Sequence, residues 1–148
     1  MFKVAGSARL QTGVMSEEFV RQQFAFEIES WTRMMNFISQ ENINYKNRLA
    51  EVLNSDSLTA DLPRFEYFNE EFISQDKIVE YLKAELKKHH KVLQEETSLL
   101  TQLKQIKLAQ EKLRREVKVE EELFQHLKEE FSAYLTTAHA ADRRPPFV

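Results

Sequence analysis

The sequence predicts an all-α fold, an elongated antiparallel up-down-up three-helix bundle with coiled-coil-like packing. Three observations predict it. Helix breakers are nearly absent: the two glycines, Gly6 and Gly13, sit near the start, and Pro63 is the one proline ahead of Pro145 and Pro146. Apolar residues recur at alternating steps of three and four along three stretches, the period of helices packed along a seam. The three stripes also fold onto one another about two segments dense in turn and cap residues.

Residues 1–15, "MFKVAGSARLQTGVM", lack that period and read as a disordered leader. Lys3 and Arg9 are its only charges, and it has no long apolar core of the kind a secretory signal carries. Ser16 is a good N-cap, and Glu17 and Glu18 follow where the helix dipole favours acids. The first helix covers 16–54. Its stripe is Phe24, Ile28, Trp31, Met35, Ile38, Asn42, Tyr45, Leu49 and Val52.

The turn "NSDSLTADLP" comes next. Asp61 is placed to cap the second helix, 62–95, and Pro63 is tolerated in its first turn. Its stripe is Phe65, Phe68, Phe72, Gln75, Val79, Leu82, Leu86, His89 and Leu93. The third helix, 98–138, carries Leu103, Ile106, Gln110, Leu113, Val117, Glu120, Phe124, Leu127, Phe131, Tyr134 and Ala138. Thr97 or Ser98 is its candidate cap. No glycine or proline enforces the break at "QEETS", so one uninterrupted helix with a stutter is an alternative. Residues 139–148 read as a flexible tail.

Folding the first helix back on the second sets Tyr45 opposite Phe72 and Asn42 opposite Gln75. Folding the second on the third sets Phe68 opposite Leu127, Gln75 opposite Glu120 and His89 opposite Ile106. Asn42, Gln75 and Glu120 then share one polar core layer. Buried amides favour the arrangement in which they find partners, so such a layer selects register.

The chain has no cysteine, which removes disulfides, thiolate zinc sites and thiol nucleophiles and fits a reducing, cytoplasmic setting. A net charge of −3 is not that of a nucleic-acid polycation. No apolar run approaches the roughly 20 residues of a membrane span. Gly-rich phosphate loops need glycine backbones that are missing after Gly13. His89, His90, His126 and His139 have no glutamate three residues upstream, as a di-iron bundle site requires. No catalytic, cofactor-binding or metal-ligating residue is therefore assigned, and the expected class is non-enzymatic.

Apolar residues off the seams are the functional signal. Phe26, Met34 and Phe37 form a candidate partner surface on the first helix, and Tyr67, Ile73, Ile78 and Tyr81 lie off the seam of the second. They point to a protein partner or to self-association, with the bundle as spacer, adaptor or assembly element. The alternative is a nucleic-acid-associated helical protein using the basic band Lys77–Lys118, with "KKHHK" and "EKLRREVK". Interleaved acids such as Glu80, Glu85, Glu111 and Glu116 weaken that footprint.

Overall fold

The computed structural model describes residues 2–54, 61–95 and 99–142, with side chains over 17–54, 61–95 and 102–137. Three helices, α1 (Phe2–Leu53), α2 (Leu62–Gln94) and α3 (Leu99–Asp142), pack as an all-α three-helix bundle. The 33 residues of α2 span about 50 Å, so the molecule is a rod. α2 and α3 are separate helices that fold back on one another, and the uninterrupted alternative does not hold. Their antiparallel contact runs from Arg64 beside Tyr134 to His89 beside Gln110. α1 and α3 run parallel, with Gln110 reaching Phe24 and Arg114 reaching Glu27.

Several boundaries differ from those read from the sequence. The backbone of α1 begins at Phe2, so position 16 lies within a helix and not at its start. Glycine costs a helix about 1 kcal/mol without breaking it, and no proline precedes Leu53. α3 continues to Asp142 through the alanine-rich "AHAAD", a good helix former, into residues assigned to the tail. Pro63 does fall in the first turn of α2. Asp61 stands at the cap position without a side-chain cap bond, and its carboxylate pairs with Arg64 at 3.3 Å instead. The Thr97 and Ser98 caps and the centre of the first turn lie outside the described residues.

The far end of α2 is closed from another helix. Arg21 on α1 donates to the carbonyls of Leu93 and Glu95 at 2.6 and 2.8 Å. The last carbonyls of a helix have no partner within it. A guanidinium satisfies them and complements the negative end of the helix dipole.

The core follows the three stripes, from Ile28 and Leu93 near one end to Phe131 and Tyr134 near the other. The end at Phe131 and Tyr134 is aromatic. Tyr45 stacks on Phe72 with centroids 6.0 Å apart, the expected pair. Phe131 meets Phe72 edge-on at 4.9 Å and Phe68 at 5.2 Å. Each such pair adds about 0.5–1.5 kcal/mol beyond area burial.

This cluster corrects the register of α3. Phe68 faces Phe131 where Leu127 was expected, and His89 faces Gln110 where Ile106 was expected. In both places α3 is displaced by four residues, about one helical turn. A seam spaced by threes and fours looks nearly the same after a shift of one step. Ring packing and the Gln110 amide break that degeneracy.

Candidate functional site

Asn42, Gln75 and Glu120 are all buried, but they do not form one bonded layer. Asn42 Nδ2 donates to the Phe72 carbonyl at 2.8 Å and to the Asp76 carboxylate, which also holds Lys46. Asn42 Oδ1, Gln75 Oε1 and both Glu120 carboxylate oxygens have no hydrogen-bond partner among the described residues. The one-turn displacement of α3 carries Glu120 away from Gln75 to a groove beside Ile78 and Leu82. There it is 1% exposed. Burial of the charged form raises its pKa from 4.5 to about 7.

A different polar connection ties the three helices together. His89 Nε2 lies 2.8 Å from Gln110 Oε1. Gln110 Nε2 donates to the Phe24 carbonyl and to Glu27, each at 3.2 Å. The carbonyl can only accept, which fixes the amide with its nitrogen toward α1. Oε1 then accepts, so His89 carries its proton on Nε2. Glu27 binds Arg114 bidentately, at 2.6 and 3.1 Å. The Arg114 guanidinium also lies 5.8 Å from the Trp31 ring centre. Burial lowers the pKa of His89, partly opposed by its bond to Gln110, and the Glu27 bond raises that of Arg114. Gln110 lies on the stripe of α3, but its partners come from α1 and α2, and no single-helix pattern shows them.

This chain of groups has the geometry of a structural tie. Its inner members, His89 and Gln110, are buried, and the Glu27–Arg114 pair closes it at the surface. His89 also lines a hollow beside Glu85, Lys112 and Glu116. Among the described residues no three His, Cys, Asp or Glu side chains are grouped to hold a metal. Within the basic band, Lys88, Lys112 and Arg114 each pair with a glutamate: Glu85, Glu116 and Glu27. Among the described residues no helix is long and apolar enough to cross a membrane.

The surface residues divide. Phe26 and Phe37 are 63% and 58% exposed, whereas Met34 is half-buried and packs on the core. Phe19, at 59% exposure, takes the place Met34 was given. It precedes Phe26 by seven residues and Phe37 by eighteen, which returns it to the same helix face. That spacing was in the sequence, although residue-by-residue comparison with the seam did not single it out. The three rings form a line on the outer side of α1. A second apolar face lies over α2 and α3, where Tyr67, Tyr81, Val119 and Leu123 are exposed. No protein family, curated protein or solved structure matches the chain.

Proposed function

We propose that the chain is a non-enzymatic interaction or assembly element of the cytoplasm, a rigid helical rod that presents side chains to a protein partner. The observation that carries this reading is the line of Phe19, Phe26 and Phe37 along the outer face of α1. A helix that commits one apolar stripe to its own core rarely exposes three large rings on the opposite face without use. Aromatic anchors of this kind supply most of the energy at protein interfaces. The bonds from Gln110 and the ring cluster hold α1 against the other two helices, so little order is lost on binding.

The test is affinity capture from cells with the whole chain and with a Phe26→Ser, Phe37→Ser variant. Both sites are exposed, so the variant keeps its melting temperature. A partner retained by the parent and lost by the variant supports the reading. The same partners with both proteins contradict it.

A further inference from the structure

We propose that the outer face of α2 and α3 is where two copies of this chain meet, as an antiparallel dimer about a two-fold axis across α2 between Ile78 and Tyr81. This goes beyond the reading of α1 and rests on a different surface.

The evidence is a palindrome in the outward-facing stripe of α2, in which Ile78 is partly buried and Tyr67, Tyr81, Lys88 and Val92 are exposed. From Tyr67 to Val92 the stripe steps by four, three, four, three, four, three and four. That symmetry of spacing is automatic for a heptad stripe. The symmetry of chemistry is not. With α2 set against itself head to tail, Ile78 meets Tyr81 of the second copy, and Tyr67 meets Val92 of the second copy. Between them, acidic Glu71 meets basic Lys88 of the second copy, and Ser74 meets Glu85 of the second copy. Apolar faces apolar at the axis and at both ends, acid faces base between them, and the Ser74–Glu85 pair is neutral to charge. A two-fold contact requires such self-complementarity.

The neighbouring helix meets itself at one apolar point, Val119, with Arg115 set against Leu123 of the second copy on either side. Val119 lines one hollow with Ile78 and Tyr81, so it sits at the level of the axis. The same two-fold places it against Val119 of the second copy. A second hollow, bounded by Tyr81, Lys88 and Val92, continues the first and shares Tyr81 and Glu116 with it. Together they extend the apolar face along the rod. Tyr81 is 49% and Val119 53% exposed. The stripe from Tyr67 to Val92 is about 38 Å long, enough for two helix pairs to bury a stable interface. Lys88 pairs with Glu85 of its own helix at 3.4 Å yet keeps 75% side-chain exposure, so its ammonium also faces Glu71 of the second copy.

Light scattering with sedimentation tests this on the whole chain. The expected mass is twice 17.6 kDa. Glu71→Lys and Lys88→Glu each set like charges together twice per dimer and weaken it about tenfold or more. Mixing the two variants restores the dimer, because every pair across the axis is again opposite in sign. Since the chain has no cysteine, Val119→Cys gives one thiol at the axis and oxidises to a linked dimer, whereas Phe26→Cys does not. Circular dichroism confirms that each variant is folded. A parent that keeps the single-chain mass up to about 1 mM, where even weak dimers form, overturns the proposal. So does a dimer indifferent to both charge reversals. Loss of partner capture by the α1 variant, with dimer mass unchanged, keeps the two surfaces distinct.

Discussion

His89 on α2 and Gln110 on α3 meet at 2.8 Å inside the bundle, and Gln110 passes the connection on to the backbone of α1 at Phe24. One amide therefore bonds all three helices. Gln110→Leu removes it and leaves the His89 ring proton unmatched in the core. We expect a loss of about 1–3 kcal/mol in urea unfolding. Adding His89→Leu should recover part of that loss, since an apolar pair leaves nothing unmatched. A Gln110→Leu protein as stable as the parent would show that the tie contributes nothing.

Glu120 makes the stability of the bundle depend on pH. Its folded-state pKa, about 7, lies above the ordinary value of 4.5, so the folded chain holds this proton more tightly. Its contribution is fully present below about 4.5 and is lost as pH rises through 7, by about 3 kcal/mol in all. His89 acts in the opposite sense. Its lowered pKa gives stability that is present above 6.5 and lost as pH falls. Comparison of the parent with Glu120→Gln isolates the carboxylate. The variant should gain steadily on the parent between about pH 5 and pH 8, and a constant difference would contradict the burial of a charged group there.

Asn42→Leu is expected to change stability by no more than about 1 kcal/mol in either direction. The Phe72 carbonyl belongs to a helix, and Asp76 keeps Lys46. Removing Asn42 also removes a buried oxygen that has no partner among the described residues. A loss well above that range in denaturant melts would show that Asn42 anchors α1 on α2.

Arg21→Ala should loosen the end of α2. The carbonyls of Leu93 and Glu95 lose a charged donor, a change of about 1–2 kcal/mol. Hydrogen exchange checks it: amides near the end of α2 should exchange faster, and those near Phe72 should keep their protection relative to the global stability. Uniform acceleration along α2 would place the effect elsewhere.

The helices were legible because their apolar residues repeat with the helical period and few breakers interrupt them. The pairing of α1 with α2 was legible too, since Tyr45 does stack on Phe72. The register of α3 was not, because a seam shifted by one step still sets apolar residues together. What chooses between the two settings is three-dimensional: the fit of Phe131 between Phe68 and Phe72, and an amide whose partners lie on two other helices. Glu120 followed α3 out of its expected layer for the same reason. On the surface, Phe26 and Phe37 could be picked out by their distance from the seam. Met34 could not be told from them, because a long flexible side chain at the seam's edge can reach the core.

The most direct test of the central claim, a three-helix bundle held in register at Gln110, is a nuclear Overhauser measurement on the whole chain. The account predicts cross-peaks from the Gln110 side-chain amide to the His89 ring and to protons of Phe24. Cross-peaks joining the His89 ring to the Ile106 methyls, with none to Gln110, would place α3 one turn away and contradict it.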